Sequence, residues 1–369
     1  MNSVLIVAGE VSGDLHAGNM LAELRKMTPQ LSAFGVGGDR LAANGLECLA
    51  TTDELAHMGL VEVLRELPRI RRIMKSLVAE ADRRRPDLAV LVDSPDFNLR
   101  LASRLRRLGI PVVLYVSPQL WAWRRGRVRV VHRLAEEVLC LLPFEVPFYQ
   151  DHHVPARYVG HPLVDDIARD GLLDHGIARV DGKIALLPGS RAMEIRNLLP
   201  TMIRTVDRLD GGVASEAVLV QAPGVGEIVD EVFAEVAGGD RIRRVSGPDR
   251  RRELASSALA WTASGTATLE CALLDVPMIV GYRLQPLSYA VAKLLVRVPH
   301  VALVNLIAEE RIVPELIQRE WSSENLETAS RRLLDGGFAE QLCSLERVRE
   351  RLGAPGASRR AAEAVLEHG

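Results

Sequence analysis

Short apolar runs alternate with helical spacings through the first half of the chain. Val4-Leu-Ile-Val-Ala8 is continuous and apolar, a length that suits a buried strand better than a helix. It breaks into Gly9-Glu-Val-Ser12-Gly13-Asp14, and residues 14–26 then show helical spacing through Leu15, Met20, Leu21 and Leu24. Ser32-Ala-Phe-Gly-Val36 reads as a short strand ending in Gly37-Gly38. Asp53 reads as a cap for a helix that begins Glu54-Leu-Ala. Pro68 is expected to split that region into two helices, the second reaching about Arg84. Strands follow at 88–92, 112–116 and 137–142. Continuous rather than alternating apolar strands, separated by helices, predict a parallel sheet covered on both faces.

The second half repeats the scheme. Ile184-Ala-Leu-Leu187 breaks into Pro188-Gly189-Ser190-Arg191 and opens another helical pattern. Strands are expected at 184–187, 217–221, 242–245, 259–262 and 278–281. Residues 163–182 have weak periodicity and read as the linker. A charged last helix, roughly 341–366, is expected to pack back on the first domain. The fold class is therefore α/β, with two Rossmann-like domains facing a cleft. Their expected limits are 1–165, joined by 341–369, and 166–340. Ligands in such folds sit at the carboxyl ends of strands.

A length of 369 residues supports two domains. The chain is 48% hydrophobic and 25% charged, with a net charge of −2, so no nucleic-acid partner is expected. Its basic residues are almost all arginine, the lysines being Lys26, Lys75, Lys183 and Lys293. Cys48, Cys140, Cys271 and Cys343 are widely spaced and form no zinc pattern. The start Met1-Asn-Ser resembles no signal peptide. No apolar stretch reaches about 18 residues, so no spanning helix is expected.

The strand ends carry the candidate chemistry. Leu88–Val92 delivers Asp93-Ser94-Pro95-Asp96-Phe97-Asn98. Two carboxylates and an amide at one turn suit a general base and its hydroxyl-holding neighbours. Capping of the next helix by Asp93 or Asp96 is the structural alternative. Gly9, Glu10, Ser12, Gly13 and Asp14 would let backbone N–H groups approach a ligand, or would simply form a tight turn. They depart from G-x-G-x-x-G, so dinucleotide binding is weak. Arg191, beyond Gly189 and Ser190, would clamp a phosphate or pair with Glu194. Ser264, Gly265 and Thr266 leave a helix N-terminus open to a diphosphate, and Glu270 lies where ribose hydroxyls would be; the hydroxyls would otherwise only cap the helix.

Ser117 and the close pair Trp121 and Trp123 offer an apolar wall or ordinary packing. His161 lines the cleft or shapes the turn Val159-Gly-His-Pro162. The mixed apolar and basic stretch from Met58 through Lys75 suits a membrane surface or an ordinary amphipathic helix. The apolar segment 287–306, with Lys293 and Arg297, is a second such stretch.

The division into a carboxylate-bearing half and a phosphate-clamping half resembles an inverting, metal-independent glycosyltransferase of GT-B architecture. More closely, an ordered set of motifs resembles the lipid-A-disaccharide synthase family: Ala8-Gly-Glu-Val-Ser-Gly-Asp14, Met58-Gly-Leu-Val-Glu-Val63, Asp93-Ser-Pro-Asp-Phe-Asn98, Tyr115-Val-Ser-Pro-Gln-Leu-Trp-Ala-Trp-Arg124, Leu142-Pro-Phe-Glu145, Gly160-His-Pro162, Leu187-Pro-Gly-Ser-Arg191 and Ala263-Ser-Gly-Thr-Ala267. Ser94 departs from the family's frequent alanine, and Pro162 is a variable position.

The resemblance implies transfer of 2,3-diacylglucosamine from UDP-2,3-diacylglucosamine to 2,3-diacylglucosamine 1-phosphate. The β-1,6-linked disaccharide 1-phosphate and UDP are the implied products, with no cofactor or metal. Asp93 is the implied base; Arg191, residues 264–266 and Glu270 fall on the UDP side, and Asn305 and Gln318 are implied donor contacts. The family further implies a cytoplasmic protein, peripheral on the inner face of the cytoplasmic membrane, and in some members a homodimer with exchanged C-terminal segments. A UDP-N-acetylglucosamine 2-epimerase and a non-catalytic two-lobed binding protein are the alternatives. A dehydrogenase is disfavoured by the missing acidic ribose-binding position.

Overall fold

The computed structural model describes residues 1–56, 63–123, 125–173, 176–209, 214–296 and 298–369. It divides into two compact units, Met1–Asp165 with Ala354–Gly369, and Asp166–Gly353. No helix among the described residues is long and apolar enough to cross a membrane.

The first unit holds β1 (Ser3–Ala8), β2 (Ser32–Gly37), β3 (Glu47–Thr51), β4 (Leu88–Val92), β5 (Val112–Tyr115), β6 (Glu137–Cys140) and β7 (Ala156–Tyr158). They form one parallel sheet in the order β3-β2-β1-β4-β5-β6-β7. β1 and β4 are central and covered on both faces, which is why they read as unbroken apolar runs. Leu77 and Ala81 of helix Val63–Arg84 and Leu101 and Leu105 of helix Pro95–Arg107 pack on one face. Met20 and Leu21 of helix Val11–Met27 and Ala361 and Val365 of helix Ala357–His368 pack on the other.

The second unit holds β8 (Val180–Leu187), β9 (Glu216–Val220), β10 (Ile242–Val245), β11 (Ser257–Ala263), β12 (Met278–Tyr282) and β13 (Glu315–Ile317), ordered β10-β9-β8-β11-β12-β13 and again parallel. Helices Ala192–Arg208, Gly226–Glu235 and Ser323–Arg332 cover one face around Trp261 and Trp321. The chain thus forms two parallel-sheet α/β units.

Three expectations need correction. Among the described residues the region around Pro68 does hold two helices, Asp53–Ala56 and one that ends at Arg84 as expected, but Pro68 does not divide them: it lies inside Val63–Arg84. Asp53 lies inside the short helix Asp53–Ala56 rather than capping it. The division between the units falls after Asp165, inside the stretch 163–182 expected to hold the linker, and it lies within helix Pro162–Arg169. The expected last helix is two, Phe338–Leu352 and Ala357–His368, and the first of them belongs to the second unit. Gly353 and Gly356, at φ 74° and 109°, flank Pro355 and stop the helix.

Gly281 on β12 shows how closely the second core is filled. A Cβ there would lie 2.5 Å from the ring of Trp321, which is buried and donates from Nε1 to the Leu198 carbonyl at 3.2 Å. Gly281→Ala is expected to destabilise the protein by about 1–3 kcal/mol through overpacking. A lowered urea midpoint at unchanged slope is the measurement that checks it.

Candidate active site

The order of strands reverses direction between β1 and β4, where a Rossmann-like sheet opens a crevice at its carboxyl edge. Both loops at this point are tightly built. Asp93 and Ser94 adopt left-handed backbone, with φ of 55° and 38°. Asn98 holds them there, Nδ2 donating to the carbonyls of Val92 at 2.9 Å and Asp93 at 2.8 Å. A Cβ on Gly9 would lie 2.0 Å from Ser94 Oγ, and one on Gly13 2.5 Å from Asp93 Oδ2. These glycines therefore admit the neighbouring β4 loop, a close approach that fits the tight-turn alternative as well as ligand approach.

The consequence falls on the Asp93 carboxyl. Its Oδ2 is buried with no hydrogen-bond partner among the described residues. Burial, and secondarily the charge of Glu10, push its pKa up to about 7. Asn98 Oδ1 is buried and unpartnered as well. Neither aspartate caps the next helix through its side chain: Ser94 is the N-cap of Pro95–Arg107 and no side chain bonds there. Asp96 is instead ion-paired with Arg127 at 2.5 Å.

The other expected residues of this unit have varied surroundings. Glu10 and Ser12 are exposed. Asp14 is buried and turned inward, accepting from the backbone N–H groups of Gly38, Arg40 and Leu41 at 2.7–3.1 Å. That carboxylate secures the start of helix Asp39–Ala43 and is not presented to a substrate. His161 is buried, its Nδ1 accepting from the Leu163 N–H at 3.1 Å. Burial and the nearby His16 hold its pKa down to about 3, so it stays neutral and shapes the turn. Met58 lies outside the described residues.

The loop beyond β5 borders the Asp93 turn, since Val92 and Tyr115 are register partners. Val116 has φ 63°, a strained conformation for a β-branched residue. Ser117 Oγ and Trp121 Nε1 both donate to Glu145 Oε1, at 2.5 and 3.1 Å, while Glu145 Oε2 accepts from the Leu142 N–H at 3.0 Å. Trp121 packs edge-on against Phe144 at 4.8 Å. The two tryptophans thus differ: Trp121 is buried, whereas Trp123 is 37% exposed. Glu145 was not among the expected site residues, although the run Leu142-Pro-Phe-Glu145 at the end of a strand carried its signal.

In the second unit the reversal falls between β8 and β11. Gly189 has φ 113°, and a Cβ on it would lie 2.3 Å from Glu194 Oε2. That carboxylate also accepts from the Ser190 N–H at 3.2 Å. The Arg191 side chain is 80% exposed, 3.5 Å from Glu194, and such an exposed pair costs little to rearrange. Gly265, at φ 113°, caps helix Thr266–Leu273 without a side-chain bond. Ser264 Oγ donates to the Val301 carbonyl at 2.6 Å, and Thr266 is exposed.

Glu270 is buried, with its Oε1 2.9 Å from Arg250 and 2.8 Å from Arg251. Asn305 is enclosed: Oδ1 accepts from the N–H groups of Ile312 and Val313, and Nδ2 donates to the Val313 carbonyl and to Glu315. All four of its hydrogen-bonding positions are filled, so the expectation of a donor contact from its side chain gives way to a structural role. Gln318 is different. It has φ 56°, its Oε1 accepts from the Leu284 N–H at 3.2 Å, and its Nε2 is buried without a partner among the described residues.

A sequence model of the lipid-A-disaccharide synthetase family matches residues 4–367. The lipid-A-disaccharide synthase of Anaeromyxobacter dehalogenans strain 2CP-C is 46% identical over 99% of this chain and 97% of its own length. That of Myxococcus xanthus strain DK1622 is 44% identical over the same shares. Among solved structures, the UDP-GlcNAc 2-epimerase of Neisseria meningitidis bound to UDP-GlcNAc superposes with a TM-score of 0.65 at 12% identity, over 99% of this chain and 100% of that one. MurG of Acinetobacter baumannii gives 0.58 at 14% identity, covering both chains fully. The structural likenesses speak for the fold alone; the sequence matches, over nearly the full length, carry the assignment. The chain belongs to the lipid-A-disaccharide synthase family of glycosyltransferases.

Proposed function

We propose that the protein transfers 2,3-diacylglucosamine from its UDP derivative to 2,3-diacylglucosamine 1-phosphate, with inversion. The observation that carries the reading is the buried, unpartnered Oδ2 of Asp93, on a carboxyl held near pKa 7. Asp93 takes the proton of the acceptor 6-hydroxyl. The oxygen attacks the donor's anomeric carbon from the face opposite UDP, the bond from that carbon to the diphosphate oxygen breaks, and UDP leaves with the electron pair. Asp93 ends the step protonated. The product is the β-1,6-linked disaccharide 1-phosphate.

Arg191 and the helix N-terminus at Gly265 take the diphosphate, where oriented N–H groups favour negative charge. Glu270, steadied by Arg250 and Arg251, faces the ribose. Gln318 Nε2, a buried donor without a partner, bonds an oxygen of the donor. Leu295 and Val296, exposed at the end of helix Pro286–Leu295 beside Lys293, belong to a segment that meets acyl chains or a membrane surface on the cytoplasmic side. A homodimer that exchanges C-terminal segments fits the separate terminal helix Ala357–His368.

UDP release from the diacylated donor, measured with and without the acyl-sugar phosphate, tests the reading. Release that depends on the acceptor is expected. Conversion of UDP-N-acetylglucosamine without any acceptor would replace transfer by epimerisation. The acceptor-dependent kcat/KM should fall about tenfold per pH unit below about 7, as Asp93 takes up its proton, and level off above it.

A further inference from the structure

We propose that Glu145 is a positioning residue for the acceptor, acting through Ser117 and Trp121 to hold the loop 116–123 beside the Asp93 turn. The inference rests on the transfer reading and extends it to a residue that touches no reacting atom.

The loop needs an external brace. It leaves β5 through a left-handed Val116, and a β-branched residue keeps that conformation only where its surroundings enforce it. Helix Glu145–Gln150 supplies the enforcement from two side chains. Glu145 receives the Ser117 hydroxyl and the Trp121 indole N–H on one oxygen. Tyr149, one turn later, donates its hydroxyl to the Pro118 carbonyl at 2.7 Å. Beyond the loop, Arg127 pairs with Asp96 in the first turn of the helix that follows Asp93. One buried carboxyl therefore holds the loop at both Ser117 and Trp121, and Arg127 pairs with the helix that follows Asp93.

A buried carboxyl is an expensive way to secure a loop. Leucine or methionine would fill the same space without desolvating a charge, but would leave the Ser117 hydroxyl and Trp121 N–H unbonded. What the arrangement secures is orientation. It turns Trp121 inward against Phe144, in a loop that borders the Asp93 turn through the pairing of Val92 with Tyr115. The acceptor sugar is the ligand assigned to the loop, which borders the base and belongs to the same unit.

The test compares steady-state transfer by the full-length wild type, Glu145→Ala, Ser117→Ala, Trp121→Phe and the Ser117→Ala/Glu145→Ala double variant, varying acceptor and donor separately. UDP affinity is measured in parallel by calorimetry. Glu145→Ala is expected to lower kcat/KM for the acceptor by about 100-fold, the scale of an ångström's misplacement, mostly through KM. UDP affinity should stay within twofold. The double variant should lose no more than Glu145→Ala alone, since both changes remove one interaction. Should Glu145→Ala fail to fold, Ser117→Ala and Trp121→Phe each must still raise the acceptor KM severalfold. An acceptor kcat/KM within threefold of wild type in every variant that folds overturns the proposal, as does an equal loss of UDP affinity. A wild type that releases no UDP overturns it too, and distinguishes failure of the transfer reading from failure of the brace.

Discussion

Asp93→Asn should abolish disaccharide formation while UDP binds with unchanged affinity. The substitution keeps size and shape at a site where little else would be tolerated. The Asp93 backbone is left-handed, which asparagine adopts more readily than most residues, and the Asn98 bonds to the Val92 and Asp93 carbonyls do not involve the changed side chain. What disappears is the carboxyl proposed as the proton acceptor. Loss of a general base lowers the rate by about 100- to 10,000-fold, and the residues proposed to take the diphosphate belong to the other unit. A variant that retained more than a tenth of wild-type kcat would remove Asp93 from the mechanism. One that lost UDP affinity in step would make its role one of binding.

The same substitution carries a signature in stability. The carboxyl's usual value is 3.8, and in the folded protein burial raises it to about 7. The fold thus binds a proton that the unfolded chain releases more readily. Stability contributed by that proton is fully present below pH 3.8 and is lost as pH rises through about 7. Asp93→Asn never ionises, so its stability relative to wild type should increase between pH 4 and 7 and stay constant above. Urea midpoints of the two proteins at pH 4.5 and 8 measure the difference. An unchanged gap between those values would mean that the Asp93 carboxyl is ordinarily solvated.

The sequence disclosed the central architecture because central parallel strands advertise themselves. β1, β4 and β11 are buried on both faces, and burial on both faces writes an unbroken apolar run. The edge strands do not: Glu47–Thr51 is half exposed with a charged first residue, and Ala156–Tyr158 and Glu315–Ile317 have three residues each. Sites followed a similar rule. The Asp93 turn stands out in the sequence because it follows a readable strand. Asn305 was misjudged because an amide filled by the backbone of residues 312 and 313 looks, in sequence, like an amide awaiting a ligand. Glu145 was missed as a brace because its partners lie 24 and 28 residues earlier, and no local pattern links a carboxylate to a distant hydroxyl. Asp14 belongs to the same class: a charged residue in a glycine turn whose use was fixed by a helix start 24 to 27 residues away.

Gly35→Ala should be the most damaging methyl group that can be added to the first sheet. Gly35 lies on β2 opposite Ile6 of β1, and its φ of 147° falls where side chains are rarely accommodated. A Cβ there would lie 1.9 Å from the Ile6 carbonyl oxygen and 2.9 Å from its carbon. The obstruction is backbone, so no rotamer change relieves it. Relief requires β2 to move away from β1, which runs on within three residues to Gly9 and its contact with Ser94. The expected cost is about 4 kcal/mol or more, in the range reserved for named structural faults, and a large part of the total stability of an ordinary domain. Gly109→Ala separates the two causes. Gly109 also has a positive φ, 79°, but an added Cβ there meets nothing within 4 Å, so that variant reports backbone strain alone, about 1–2 kcal/mol. Equal urea midpoints for the two variants would assign the whole effect to φ. A Gly35→Ala midpoint far below that of Gly109→Ala, or insoluble protein for Gly35→Ala only, would assign it to the Ile6 carbonyl and show that the spacing of β1 and β2 sets the ground on which the Asp93 turn is built.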